Sequence, residues 1–92
     1  MRKKARNVRT SVPYFVYLLE CADGTLYTGI ATDVRRRFKE HTAGKGARYT
    51  RARHPKRVAY QEPAPDRSAA LKREAAIKRL TRTQKLALIK AT

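Results

Sequence analysis

The sequence predicts an α+β domain in which a small three-stranded antiparallel sheet is flanked by helices, in the order β-β-α-β-α-α. Three observations carry this. Residues 14–20, Tyr-Phe-Val-Tyr-Leu-Leu-Glu, are aromatic and β-branched, and after the turn signal Asp23-Gly24 residues 25–30 return to strand composition, so the two make a hairpin. Helical stretches follow, each introduced by a capping residue. The 92 residues suffice for one domain, read as a flexible basic arm over 1–11 and a single domain over 12–92.

Each element has a local reason. Thr32-Asp33 offers an N-cap, and residues 34–42 form a first helix ended by Gly44. Residues 43–56 read as a long loop, and long loops in small domains tend to be functional or disordered. Residues 57–62 form the third strand, with Val58 and Tyr60 on one face, and Pro63 and Pro65 close it. Asp66 or Ser68 caps a second helix running to about Leu80. Thr81 and Gln84 have capping-box spacing, which starts a separate last helix over 82–90.

Charge identifies the partner class. Lys and Arg number 23 against 7 Asp and Glu, a net charge of +16. A polyanion must neutralise such a field, and nucleic acid is the abundant one. An anionic membrane is the competing partner, but it favours one long basic amphipathic helix, and here the charge is spread over every segment. No apolar run approaches the ~20 residues of a membrane span, and no apolar stretch of signal-peptide length follows the basic N-terminus, so the sequence predicts a cytoplasmic protein. The lone Cys21 excludes an internal disulfide and a cysteine-rich zinc site, and at a strand end it reads as a small packed residue.

Chemistry is sought where charged residues fall on buried faces. Val34, Arg37, Phe38 and His41 lie at i, i+3, i+4 and i+7, one stripe whose apolar members mark it as core-facing. Arg35, Arg36, Lys39 and Glu40 fall elsewhere and read as solvated. An inward arginine needs an anion, either a salt bridge or a ligand. On the second helix Glu74 lies between Leu71 and Ile77 in the apolar arc, a carboxylate at a core edge that either pairs with a basic neighbour or serves a function. One carboxylate suffices for Mg²⁺, which keeps waters and takes substrate phosphate as ligand. Arg37 could stabilise charge on phosphorus, and Tyr17, Tyr27 or His41 could act as base if their pKa values were lowered. In the 43–56 segment, Lys45, Arg48, Arg51, Arg53 and Lys56 are candidates to grip a nucleic-acid backbone, and Tyr49 to stack on a base or simply to pack.

At these residues the chain resembles the GIY-YIG nuclease superfamily, most closely its small stand-alone bacterial members. The two short motifs appear as Phe15-Val16-Tyr17 and Tyr27-Thr28-Gly29, with Phe15 where the family carries glycine. The stronger match is 33–41, Asp-Val-Arg-Arg-Arg-Phe-Lys-Glu-His, followed by Glu74 within 71–78. The resemblance implies that Tyr17 acts as or assists the general base and that Tyr27 binds phosphate or water. Arg37 would stabilise the transition state, His41 assist proton transfer or positioning, and Glu74 hold one Mg²⁺ or Mn²⁺ ion. It implies a metal-dependent endonuclease acting on nucleic acid, DNA favoured over RNA. The alternative is a non-catalytic nucleic-acid-binding module that keeps the fold.

Overall fold

The computed structural model describes residues 12–91, so the basic segment 1–11 lies outside the described residues. Strand β1 (Tyr14–Cys21) is the middle strand of a three-stranded sheet in which β2 (Leu26–Ala31) and β3 (Pro55–Ala64) are the edges. Both pairings are antiparallel. The Asp23 carboxylate holds the hairpin turn, accepting hydrogen bonds from the Thr25 N–H at 3.1 Å and the Thr25 hydroxyl at 2.6 Å. Gly24 takes the positive φ (+85°) that the turn requires. Four consecutive β1 residues, Val16, Tyr17, Leu18 and Leu19, are buried because the strand is covered on both faces.

Helix α1 (Val34–Thr42) starts at Asp33, whose carboxylate accepts from the Arg36 N–H at 3.0 Å. After the third strand, α3 (Arg67–Lys78) is capped by Asp66, which accepts from the Ala69 N–H at 2.9 Å. Helix α4 (Arg82–Lys90) opens on the reciprocal Thr81–Gln84 capping box. On one face Val16 and Leu18 pack against Ala70 and Ile77 of α3, with Leu88 of α4 beside them. On the other, Tyr17 and Leu19 pack against Val34 and Phe38 of α1. The predicted fold class and element order therefore hold.

Three local readings do not. The 43–56 segment is not a loop throughout: α2 (Arg48–Arg53) occupies its middle and β3 begins at Pro55. No side chain caps this six-residue helix, and His54 ends it in the left-handed region (φ 56°). Tertiary contacts hold it, since Thr50 is fully buried and the Ala22 N–H reaches the Arg53 and His54 carbonyls at 3.1 and 2.8 Å. Second, Val58 and Tyr60 do not share a face. The register steps from Leu18↔Tyr60 to Leu19↔Val58, leaving Ala59 as an extra residue in a bulge. The bulge resets the alternation, so Val58 joins the Tyr17 cluster and Tyr60 the Val16 cluster. Nor does Pro63 close the third strand, which runs on to Ala64; Pro55 and Pro63 are tolerated within β3 because it is an edge strand.

Candidate active site

Tyr17 is the centre of the site. Its position on the middle strand buries it to 2% exposure, and its ring runs over Gly29, its partner across β1 and β2. A Cβ on Gly29 would lie 2.5 Å from the Tyr17 hydroxyl oxygen, so only glycine leaves room for the phenol. The hydroxyl meets His41 Nε2 at 3.0 Å. His41, the last residue of the α1 stripe, is 1% exposed, and its other ring nitrogen, Nδ1, is 2.7 Å from Thr50 Oγ1 of α2. Gly46 lies against the same imidazole: a Cβ there would come within 2.7 Å of two ring carbons. Tyr27 completes the cluster, with its ring centroid 6.5 Å from that of Tyr17 and 5.4 Å from that of His41.

The stripe also delivers Arg37. Its guanidinium donates to Glu40 Oε1 at 2.8 Å, so Glu40 is not simply a solvated helix residue: one turn of helix suffices to bring it back onto the arginine. Arg37 is one-third exposed (35%), which leaves it accessible to a ligand. It also acts on both proton-carrying groups. Burial and the nearby Tyr27 push the Tyr17 phenol up to about 12, with Glu74 adding to the rise and Arg37 opposing it. Burial, then the Arg37 charge, holds His41 below its ordinary value. The sequence offers Tyr17, Tyr27 or His41 as base on the condition of a lowered pKa. Tyr17 is shifted the other way, because its hydroxyl is withdrawn from water on the inner strand.

The fifth residue arrives from the opposite helical layer. Glu74 on α3 raises the Tyr17 pKa by its charge but hydrogen-bonds none of the other four. Its carboxylate is 18% exposed and its ion-pair partner is Lys78, at 3.5 Å. The remaining carboxylates are more closely engaged. Glu20, Asp23, Glu40 and Glu62 pair with arginines at 2.6 to 3.0 Å, and Asp33 and Asp66 cap helices. Glu74 thus has the longest ion-pair contact of the paired acids, and its partner is a lysine rather than an arginine. Among the described residues no three His, Cys, Asp or Glu side chains gather into a metal-ligating group. A lone hard oxygen donor fits an ion that keeps most of its water and takes phosphate oxygen as a ligand, the behaviour of Mg²⁺.

Lys45, Arg48, Arg51, Arg53 and Lys56 are all exposed, on α2 and its flanks. Arg51 lines a cleft of about 270 Å³ whose walls include His41, Thr50 and His54. Tyr49 is exposed and at the same time in contact with its neighbours. Its ring lies 5.6 Å from Tyr27, and the Arg53 guanidinium sits over it at 4.5 Å while also pairing with Asp23 at 3.0 Å. Sequence reasoning missed Gly46, Thr50 and the Glu40 contact. The first two lay in a segment read as loop, where no periodicity marks an inward side.

The pattern of the GIY-YIG catalytic domain matches residues 13–87, most of the chain. The chain belongs to the GIY-YIG family. Among its relatives, a UPF0213 protein of Desulfotalea psychrophila is 56% identical over 80 residues, covering 86% of this chain and 73% of that one. A UPF0213 protein of Streptococcus sanguinis is 57% identical over 76 residues, covering 83% and 87%. The solution NMR structure of a UPF0213 protein from Bacillus halodurans matches with a TM-score of 0.56 at 44% identity, over 87% of this chain and 85% of that one. That of a protein from E. faecalis matches with a TM-score of 0.59 at 42% identity, over 86% and 84%. GIY-YIG nucleases generally depend on a divalent metal. Tyr17 on β1, Tyr27 and Gly29 on β2, Arg37 and His41 on α1 and Glu74 on α3 all lie within the matched residues. No helix among the described residues is long and apolar enough to cross a membrane.

Proposed function

We propose that this GIY-YIG domain is a divalent-metal-dependent endonuclease that hydrolyses phosphodiester bonds, with DNA its substrate before RNA. The observation that carries the reading is the 3.0 Å contact between the Tyr17 hydroxyl and His41 Nε2, with the charges of Arg37 and Glu74 both acting on that hydroxyl. A phenol pushed up to about 12 stays protonated at neutral pH, and a His41 held below its ordinary value stays neutral. Tyr17 is therefore the conduit and His41 the base. As a water attacks phosphorus, its proton passes to the Tyr17 oxygen while the Tyr17 proton passes to His41 Nε2. The new P–O bond forms as the bond to the leaving oxygen breaks, and that oxygen is protonated from solvent. Arg37, already bonded to a carboxylate in the free protein, exchanges it for the phosphate oxygens on which charge develops. Glu74 would hold one Mg²⁺ or Mn²⁺ ion, which supplies Lewis-acid stabilisation of the same charge. Tyr27, beside both Tyr17 and His41, lines the water or phosphate position.

The exposed cations of α2 and its flanks, Lys45, Arg48, Arg51, Arg53 and Lys56, bind the backbone electrostatically, without reading bases. The test is cleavage of single-stranded, duplex and branched DNA and of RNA with Mg²⁺, Mn²⁺ or EDTA, comparing the wild type with Arg37→Ala and Glu74→Ala. Metal-dependent cutting lost in both variants supports the nuclease and ranks its substrates. Tight binding with no cutting by any form would overturn it in favour of a binding module.

A further inference from the structure

We infer that Thr50 is a positioning residue that fixes the His41 tautomer, leaving Nε2 bare to receive the Tyr17 proton. The inference rests on the proton path proposed above and extends it to a residue outside the motif set. A threonine hydroxyl has one hydrogen. Here that hydrogen has a backbone acceptor, since the Thr50 hydroxyl donates to the Ala47 carbonyl at 2.9 Å, the common return bond of a helical threonine. Toward His41 Nδ1, 2.7 Å away, Thr50 is then left only with lone pairs, so Nδ1 must carry the proton. Neutral imidazole has a single N–H, which leaves Nε2 an acceptor, and the hydroxyl facing it at 3.0 Å must donate.

The Tyr17 side gives the same answer independently. Arg37, whose charge acts on the Tyr17 phenol, can only donate and so cannot take its hydrogen. Were His41 to donate from Nε2, it too would offer the phenol no acceptor. The phenol hydrogen, on a residue 2% exposed, would then have no described acceptor. With Nδ1 protonated every hydrogen has an acceptor, and the bonds run in one direction, from Tyr17 through His41 and Thr50 to the Ala47 carbonyl. When His41 takes the Tyr17 proton, the imidazolium keeps Nδ1–H on Thr50. Gly46 holds the ring from the side, because any larger residue there would strike it.

The experiment is a long-range ¹H–¹⁵N NMR correlation of the His41 side chain in the metal-free, substrate-free protein, in wild type, Thr50→Val and Thr50→Ser. Valine keeps the threonine shape without the hydroxyl, and serine keeps the hydroxyl. The expected result is a proton on Nδ1 and a bare Nε2 in wild type and Thr50→Ser, with the proton shifted toward Nε2 in Thr50→Val. In the cleavage assay, kcat of Thr50→Val falls about 10–100-fold with KM unchanged, and Thr50→Ser recovers most of it. A wild-type His41 protonated on Nε2 overturns the inference even if Thr50→Val fails to fold. So does a folded Thr50→Val that keeps the wild-type tautomer. A Thr50-dependent tautomer in a protein that cuts nothing sustains the assignment and sinks the nuclease reading, so the two failures are distinguishable.

Discussion

The four glycines provide a test that separates crowding in the site from ordinary backbone strain. Gly29→Ala places a Cβ 2.5 Å from the Tyr17 oxygen and 2.7 Å from the ring carbon bearing it, closer than real Cβ contacts come. Tyr17 is 2% exposed and walled by Leu19, Val34 and Phe38, so the ring cannot swing out and must shift against its neighbours. Overpacking of this kind costs about 1–3 kcal/mol. Alanine at a glycine position with ordinary φ returns about 0.4–1 kcal/mol by restricting the unfolded chain. The net loss is about 1–2 kcal/mol, and at about 4–8 °C per kcal/mol for a domain of this size it lowers Tm visibly. The same shift breaks the 3.0 Å contact between Tyr17 and His41, and cleavage falls by about 100-fold or more, the scale of a lost general base. Gly46→Ala acts alike through the His41 ring. Gly24 and Gly44 are the controls: nothing lies within 4 Å of a Cβ at either, but their φ values of +85° and +81° are unfavourable for alanine. Substitution there costs about 1–2 kcal/mol in strain without crowding either the Tyr17 or the His41 ring. Urea denaturation and single-turnover cleavage of the four alanine variants decide the matter. Equal stability and activity in Gly29→Ala, or equal loss of cleavage in Gly24→Ala, would refute the packing argument.

Further outcomes follow from the same geometry. His41 should titrate below 6.5 by NMR, and Arg37→Ala should raise its midpoint, because the arginine charge disfavours the imidazolium. Since the folded form resists a proton that the unfolded chain accepts near 6.5, His41 costs no stability above that pH. Stability is lost as pH falls from 6.5 through the lowered His41 value, which urea denaturation at a series of pH values will read. Thr28→Val should raise stability by about 1 kcal/mol, because it removes a buried hydroxyl with no described partner; thermal unfolding of the variant checks this. Arg51→Ala should weaken nucleic-acid binding for all sequences alike and lower the slope of log affinity against log salt by about 1, measured by fluorescence anisotropy.

What could be read in the sequence was whatever leaves a local mark. Asp33, Asp66 and the Thr81–Gln84 pair each bond to backbone within three residues, so the helix starts were visible from residue type and spacing alone. The α1 stripe was visible because Val34 and Phe38 recur at helical period and carry Arg37 and His41 with them. Helix α2 had no such mark: it has six residues, no side-chain cap, and Tyr49 and Thr50 in place of strong helix formers. The Ala59 bulge was equally silent, because register is set by the partner strand. Glu74 was legible as a carboxylate in an apolar arc, whereas its charge acting on a tyrosine of the sheet depends on how α3 crosses the strands.

Helix α2, the segment hardest to foresee, also has the weakest intrinsic hold. Its C-terminal end is moored to the hairpin by the Arg53–Asp23 pair, both of whose side chains are more than one-third exposed, and by the Ala22 N–H. Short elements held this way open at lower free energy than the strands beside them. Thr50 rides on that element, so the His41 orientation inferred above is tied to a part of the fold expected to open before the sheet. On warming, catalytic competence should fade while the sheet is still intact. Salt should then act on the molecule twice, loosening its grip on the polyanion and slackening the mooring that keeps the imidazole in place.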